Sequence, residues 1–334
     1  MVLRFAGLIL TLVLVTGCGP RPQPRQSGLK QVFIGTPVAI PTDDLGRAVT
    51  LKGVPRRVVT IGPGATEIIF ALGAGERLVG RDSSSDYPPQ ALKAPVVANF
   101  TGPFFEKVVA VRPDLIIVQG ETWDKARVEA WQQKCGAPVA ALTANNLEEV
   151  SRSTEKIGAW LDLRARARAL AQRMAASARL NHTLQARAFF EVSRTPLWTA
   201  GRGTLIDNVM GTAGLANVAR EIKGYKQVNL EVLVAQEPEV YVVAAKYPDR
   251  ERVLSELRRH PTLRNLKCIR KGQVFVVHAD HVLRPGPRLS QGIGELFHQL
   301  RTLRSAEVRR VEQEMNRPFN RMQRPAQDDG RNRS

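Results

Sequence analysis

The sequence has few cysteines and few acidic residues, and the first shortage excludes two classes of protein. The three cysteines, Cys18, Cys135 and Cys268, form no Cys-x-x-Cys pair. This excludes a cysteine-rich zinc module and a disulfide-dense miniprotein. Asp and Glu number 31 against 49 Lys and Arg, which gives a formal net charge of +18. That excess is compatible with nucleic acid, an anionic membrane surface or an acidic ligand, and the count alone does not choose among them.

Apart from one N-terminal run, no apolar stretch approaches the length of a membrane-spanning helix. The uncharged run from Phe5 to Val15 is about half of the roughly 20 residues that such a helix needs. It follows Met-Val-Leu-Arg and ends at Val-Thr-Gly-Cys18, which is the order of a signal peptide and resembles a bacterial lipobox. We therefore predict a lipoprotein signal peptide over 1–18 with the lipid on Cys18. An ordinary signal peptide is the alternative.

The segment after Cys18 is rich in proline, glycine and polar residues, which predicts a tether over 19–37. The protein is then a globular, monomeric chain anchored by lipid to the extracytoplasmic face of a bacterial membrane, in the periplasm or at the cell surface. Export makes nucleic acid a poor partner for the positive charge. The arginines between Leu163 and Arg187 lie at helical spacing, which is typical of a solvated helix face.

The sequence also lacks the motifs of the common enzymes. It contains no Gly-x-Ser-x-Gly, and Gly62-Pro-Gly64 imitates a dinucleotide fingerprint only until Glu67, which stands where the third glycine is needed and would repel a pyrophosphate. His278-Ala-Asp-His281 supplies three possible metal ligands, so an extracytoplasmic metal-dependent hydrolase is the alternative of another class. A polar loop at a strand end is the simpler interpretation. We predict no catalytic residue, no bound metal and no cofactor.

The apolar pattern predicts an α/β protein with two similar lobes and a cleft between them. Short buried strands alternate with helices as far as Leu142, which is typical of a parallel sheet, and the alternation returns at Phe189. Between them lies an Ala/Leu/Arg-rich helical run. The predicted boundaries are an N-terminal lobe over 38–146, one continuous inter-lobe helix over 147–184, a C-terminal lobe over 185–304 and a basic, disordered tail over 305–334.

An internal repeat supports the two lobes. The segment from Glu106 to Val118 aligns without a gap on the segment from Glu231 to Val243. Each copy has a glutamate that opens an apolar helix, a proline seven residues later and then a buried strand. The repeat predicts one carboxylate at an equivalent helix start on each lobe. The local alternative is that each glutamate only complements its helix dipole.

Aromatic residues in strand-to-helix connections are the candidates for contacting a ligand. Such loops line the crevice at the carboxyl ends of parallel strands. Aromatic side chains there suit a large, flat or partly apolar ligand, although each is as compatible with a core position. The candidates are Tyr87, Phe100, Trp198 and Tyr225.

The run Pro55 to Gly80, together with Asp86-Tyr-Pro-Pro89, Glu106 to Asp114 and Arg284-Pro-Gly-Pro-Arg288, resembles the substrate-binding proteins of ABC importers for vitamin B12, haem and ferric siderophores. The cobalamin-binding branch is the most similar. The resemblance covers roughly Pro41 to Leu303. It implies two Rossmann-like lobes joined by a single long α-helix, a ligand cleft between the lobes, and delivery of the ligand to a permease without catalysis.

The resemblance also implies roles for individual residues. The positions that face the ligand in the cobalamin branch correspond to Tyr87, Phe100, Trp198, Tyr225, Asp280 and Arg284. Phe100 and Tyr225 stand where the enteric member of that branch carries tryptophan, and His281 stands at an aromatic position from which it could serve haem iron. Glu106 and Glu231 correspond to the docking glutamates, which meet arginines of a permease dimer that works with its ATPase subunits. The implied ligand is cobalamin, with haem or a ferric siderophore as the alternative.

Overall fold

The computed structural model describes residues 41–99, 101–120, 123–176 and 184–322, with side chains described as far as residue 310. The first lobe contains a six-stranded sheet in the order β4-β3-β2-β1-β5-β6, parallel except for β4. Its strands are β1 (Val58–Ile61), β2 (Leu78–Asp82), β3 (Val96–Asn99), β4 (Gly102–Pro103), β5 (Leu115–Gln119) and β6 (Val139–Leu142), and its helices are α1 (Pro63–Ala71), α2 (Phe105–Ala110) and α3 (Lys125–Cys135).

Two helices, α4 (Leu147–Trp160) and α5 (Arg164–Ala176), precede the second lobe. The strands of that lobe are β7 (Ala186–Glu191), β8 (Ser193–Arg194), β9 (Leu197–Ala200), β10 (Leu215–Asn217), β11 (Tyr225–Gln227), β12 (Val240–Ala245) and β13 (Val274–His278). A parallel sheet has the order β10-β7-β12-β13, and a small antiparallel sheet has the order β11-β9-β8. The helices are α6 (Leu205–Thr212), α7 (Leu230–Gln236), α8 (Arg250–Arg259), α9 (Lys267–Arg270), α10 (Ala279–Val282) and α11 (Leu289–Met322). The predicted α/β fold with two parallel sheets is confirmed.

Alternate residues of each sheet enter different cores, as the two-residue period of a strand requires. In the first sheet, Ile116 and Val118 pack in a core beneath α2 and α3, whereas Leu115 and Ile117 belong to a larger cluster. Phe190 and Val242 of the second sheet belong to that same cluster. One apolar core therefore runs through both lobes, and each lobe adds a separate core of its own.

The prediction of one continuous helix over 147–184 is wrong. Helix α4 ends at Trp160, and Asp162 adopts the left-handed conformation with φ 58° before α5 begins. The chain then folds back, because Thr154 Oγ1 lies 3.9 Å from Met174 Sδ. Gly158 permits the close approach, since a Cβ there would stand 2.1 Å from the Cβ of Ala167. Residues 177–183 of the predicted helix lie outside the described residues.

The resulting helical hairpin still contacts both lobes. Helix α4 packs against α1 of the first lobe and α6 of the second, and α5 packs against α11. The arginines of α5 fit the predicted solvated face, because Arg168 and Arg173 are exposed while Leu170 and Met174 are buried. The lobes are therefore joined by a packed pair of helices rather than by one continuous helix.

The prediction of a disordered tail from residue 305 is also corrected. Helix α11 starts at Leu289 and continues to Met322, well past the predicted boundary. The sequence there is polar on most sides, so it carries little of the apolar periodicity by which a packed helix is detected. The remainder of the tail, 323–334, and the predicted signal peptide and tether lie outside the described residues. No helix within the described ranges is long and apolar enough to span a membrane.

The internal repeat reappears in the backbone. Arg112 and Glu237, which occupy the same place in the two copies, both have φ 44°, a conformation that is uncommon for residues other than glycine. Further along, Asp124 and Asp249 cap α3 and α8, and each side chain accepts a hydrogen bond from the backbone N–H three residues later. The equivalence therefore extends past the aligned strands into the following helices.

Candidate functional site

The carboxyl edge of the first sheet lies against the segment that joins α10 to α11. Gln119, at the end of β5, donates a hydrogen bond from Nε2 to the carbonyl oxygen of Pro285 at 3.0 Å. Gly64, in the first turn of α1, is so close to this segment that a Cβ would stand 2.0 Å from the same oxygen. Since α10 follows β13, this contact brings the carboxyl ends of strands from both sheets to one place.

A buried ion pair closes this contact. Arg288 donates from Nη2 to Glu67 Oε1 at 2.6 Å and from Nε to Oε2 at 3.0 Å. The Glu67 side chain is 2% exposed and that of Arg288 is 10% exposed. Burial raises the pKa of Glu67, while the hydrogen bonds and charge of Arg288 oppose that rise. We regard the pair as ionised, because two parallel charge-assisted hydrogen bonds match a guanidinium to a carboxylate.

Arg284 extends the network to Asp86, whose side chain is 45% exposed. It lies 2.5 Å from Asp86 of the first lobe and 3.0 Å from Asp280 of its own lobe, and Arg288 lies 3.6 Å from Asp280. The hydrogen bond from Arg284 lowers the pKa of Asp86. Two of the predicted ligand residues, Asp280 and Arg284, are therefore joined to each other and to the first lobe.

Tyr87 rests on this network. The guanidinium carbon of Arg288 lies 3.7 Å from the centroid of the Tyr87 ring, and the residue is 42% exposed. One face of the ring is thus held by a cation while part of its surface remains in solvent. The structure therefore places Tyr87, Asp280 and Arg284 in a single cluster around Arg288.

Trp198 and Tyr225 form a second group. Trp198 pairs with Gln227 and Tyr225 pairs with Ala200 across β9 and β11, which places both aromatic residues on the same face of this small sheet. They are 37% and 41% exposed. The carbonyl of Trp198 accepts from Val192 N at 2.9 Å, directly after β7, so the group lies at the carboxyl edge of the second sheet. The remaining predicted aromatic, Phe100, lies outside the described residues.

The two histidines of the metal alternative have structural roles. Their rings stack with centroids 4.5 Å apart. His278 Nδ1 accepts from Asp280 N at 3.2 Å, and His281 Nδ1 lies 2.6 Å from Glu295 Oε1. In the part of the chain with described positions, no group of three His, Cys, Asp or Glu side chains is arranged to hold a metal ion. These contacts give the hydrolase interpretation no support.

The repeat glutamates lie on short helices at the surface. Glu106 is in the first turn of α2 and Glu231 in the first turn of α7, and both are exposed. Neither carboxylate forms an ion pair within the described ranges. An exposed valine accompanies each glutamate at the same place in the repeat, Val109 on α2 and Val234 on α7. The two copies therefore present similar surfaces.

Sequence reasoning missed the partnership of Glu67 with Arg288. The signal was a carboxylate inside the apolar helix Ala-Thr-Glu-Ile-Ile-Phe-Ala, because a charge that is buried there requires a partner. Sequence reasoning also passed over Lys246 and Tyr247. They lie between β12 and α8, in a strand-to-helix connection like those that contain the other candidate aromatic residues.

A cavity of about 930 Å³ lies at a different place, between the start of α4 and α6. Its polar lining includes Asn145, Thr204 and Arg220, and none of its described lining residues is aromatic. It therefore does not match the aromatic site that the sequence predicts.

The chain is similar to known proteins along most of its length. A substrate-binding lipoprotein of an ABC transporter from Bacillus subtilis is 29% identical over 312 residues, covering 89% of this chain and 96% of the relative. The structure of the periplasmic vitamin B12-binding protein of Vibrio cholerae matches with a TM-score of 0.65 and 26% identity, over 75% of this chain and 98% of that one. The structure of a periplasmic heme-binding protein from Pseudomonas aeruginosa matches with a TM-score of 0.61 and 28% identity, over 73% of this chain and 91% of that one.

The family model for periplasmic binding proteins matches residues 58–281, which include strands of both parallel sheets and the residues Glu67, Tyr87 and Asp280. The resemblance inferred from the motifs is thereby confirmed. The chain belongs to the periplasmic binding protein family, a family of solute-binding proteins rather than enzymes.

Proposed function

We propose that the chain binds a corrinoid such as cobalamin outside the cytoplasm and delivers it to the permease of an ABC importer. The observation that carries the proposal is the set of exposed aromatic residues, Tyr87, Trp198 and Tyr225, at the carboxyl edges of the sheets. Aromatic surfaces of this kind suit a large, partly apolar ring system. The vitamin B12-binding relative from Vibrio cholerae supports the corrinoid as ligand.

A haem or a ferric siderophore is the alternative ligand. The heme-binding relative from Pseudomonas aeruginosa has similar identity to this chain, and exposed aromatic surfaces suit a porphyrin as well as a corrin. The choice depends on the shape of the cleft and on the polar groups at its rim.

Titration of the purified protein with cyanocobalamin, haemin and a ferric siderophore tests the proposal, by tryptophan fluorescence and calorimetry. We expect saturable binding of cyanocobalamin with one site per chain. Trp198→Ala should weaken binding, and Trp198→Phe should retain most of the affinity because it keeps an aromatic face. Failure of the wild-type chain to bind any of the three ligands would overturn the proposal.

Glu106 and Glu231 form the proposed permease contacts. A two-lobed monomer that meets a two-fold symmetric permease dimer needs one matched contact per half. Both glutamates are exposed at equivalent helix starts, and neither is neutralised by an ion pair within the described ranges. Arginines on each permease subunit are the complementary partners, and Val109 and Val234 would pack at the same two contacts.

Membrane attachment through a lipid on Cys18 completes the proposal. The B. subtilis relative is a lipoprotein, which supports this anchor. Replacing Cys18 by Ala should release the chain from the membrane fraction. Retention of the variant in membranes would contradict the lipid anchor while leaving ligand binding untouched.

A further inference from the structure

The connection between β12 and α8 leaves the second sheet at its centre. Strand β12 lies between β7 and β13, and its last residue, Ala245, pairs with His278 at the end of β13. The next residues, Lys246 and Tyr247, therefore start beside α10, the helix that carries Asp280 and shortly precedes Arg284. Ligands of open α/β sheets bind outside the carboxyl ends of such central strands.

Tyr247 is far more exposed than the other aromatic candidates. The residue is 79% exposed, against 42% for Tyr87 and 41% for Tyr225. Single exposed apolar residues are common on protein surfaces, so exposure alone carries no inference. Its position at the carboxyl edge of a central strand distinguishes the Tyr247 ring from an isolated exposed apolar residue.

Lys246 lies in the same connection, next to Tyr247. Its ammonium lies 5.8 Å from the centroid of the Tyr247 ring. Its charge also contributes to lowering the pKa of Asp86, so it acts across the lobe boundary toward the residue that precedes Tyr87. Lys246 forms no ion pair within 4.0 Å among the described side chains, which leaves a cation beside an exposed ring at the carboxyl edge of the second sheet.

We propose that Tyr247 and Lys246 are a further part of the ligand site, in which the ring covers a large conjugated macrocycle and the ammonium pairs with an anionic group at the periphery of that macrocycle. The inference rests on the proposed function. Two anionic groups have the required chemistry, the phosphodiester of a cobalamin and the carboxylates of a haem. Neutral or cationic groups at the periphery do not.

Substitution of Tyr247 tests the aromatic contact. Tyr247→Ala should weaken binding of the preferred ligand roughly 3- to 10-fold, and Tyr247→Phe should bind like the wild type. Val54→Ala is the matched control, because Val54 is 47% exposed and lies before β1, at the opposite edge of the first sheet. If Trp198→Ala loses affinity while Tyr247→Ala does not, the proposed function stands and this inference fails.

Lys246→Met tests the anionic group. The variant should bind cyanocobalamin about 2- to 5-fold more weakly than the wild type does. Its affinity for cobinamide, which lacks the phosphodiester, should be unchanged. If the ligand is haem, the corresponding pair is haemin and its dimethyl ester. Lys271→Met is the matched control, because Lys271 is exposed and precedes β13, at the opposite edge of the same sheet. If affinity falls equally for the ligand with the anionic group and for its counterpart without that group, Lys246 does not have the proposed role.

Discussion

Glu67 of α1 and Arg288, which directly precedes α11, form a two-pronged ion pair at 2.6 and 3.0 Å in a place where both side chains are almost fully buried. They are far apart in the chain and belong to different lobes. Taking two charges out of water is costly, and close, doubly hydrogen-bonded geometry offsets that cost. The pair is therefore a brace across the lobe boundary and stands next to the predicted ligand residues.

Removal of one member of this pair should strongly destabilise the protein. We expect Glu67→Ala to lower the free energy of unfolding by about 3–5 kcal/mol, because Arg288 is left without its main partner. The double variant Glu67→Met with Arg288→Met should recover much of the loss. Urea unfolding measures both. The control is Glu148→Ala, which breaks an exposed ion pair with Arg152 and should lower the free energy of unfolding by at most about 0.5 kcal/mol. An equally small loss for Glu67→Ala would contradict the proposed brace.

Gly64 should tolerate no side chain. Alanine would bring its Cβ to 2.0 Å from the Pro285 carbonyl, so α1 and the segment before α11 must separate. We expect a loss of about 1–3 kcal/mol in unfolding free energy for Gly64→Ala. Gly294→Ala is the control, because Gly294 is also helical and has nothing within 4 Å of an added Cβ; it should gain up to about 1 kcal/mol. Equal effects of the two substitutions would disprove the tight contact.

The docking glutamates should matter for the permease and not for the ligand. Glu106→Ala or Glu231→Ala should weaken association with the permease and leave ligand affinity unchanged, because both carboxylates lie on the outer helices α2 and α7. Replacement of both by Arg should abolish ligand-stimulated ATP hydrolysis by the reconstituted importer. Glu155→Ala, on exposed α4 surface, is the control. Normal stimulation by the double Arg variant would show that the glutamates serve only their own helices.

The thiols of Cys135 and Cys268 lie in different lobes, and both are free and buried. Burial raises the pKa of both, that of Cys268 from 9.0 to about 11. At pH 8 the thiolate fraction of Cys268 is then about 100-fold below that of an ordinary thiol. We expect iodoacetamide to label Cys268 only after unfolding, as peptide mass mapping would reveal. Rapid labelling of the native protein would contradict its burial.

The sequence predicts those features that depend on local patterns. Alternating strands and helices, and the repeat headed by Glu106 and Glu231, follow from apolar periodicity and helix signals within short segments. The break at Asp162 does not, because neither proline nor glycine stands at 161–163 and the turn depends on the packing of Gly158 against Ala167. Propensity favours a continuous helix there, and tertiary contact overrides it.

The sequence names residues of the candidate site, and it does not indicate the contacts that join them. Tyr87 could be named as an aromatic residue in a strand-to-helix connection, whereas Asp280 and Arg284 were named through the family resemblance. Their attachment to Glu67 through Arg288 depends on how the lobes meet, and no spacing along the chain encodes that distance. Tyr247 lies in a connection of the same kind and was missed, because none of the motifs that carry the family resemblance includes it.

The apolar cluster that contains both Ile117 and Val242 has a consequence for how the protein comes apart. A chain whose lobes had independent interiors would melt in two steps and could be split into autonomous halves. Here the largest apolar cluster is shared by both lobes, and it also contains Trp160 and Leu170 of the helical hairpin. The described chain should accordingly unfold as one thermodynamic unit, with a single calorimetric transition whose van't Hoff and calorimetric enthalpies agree.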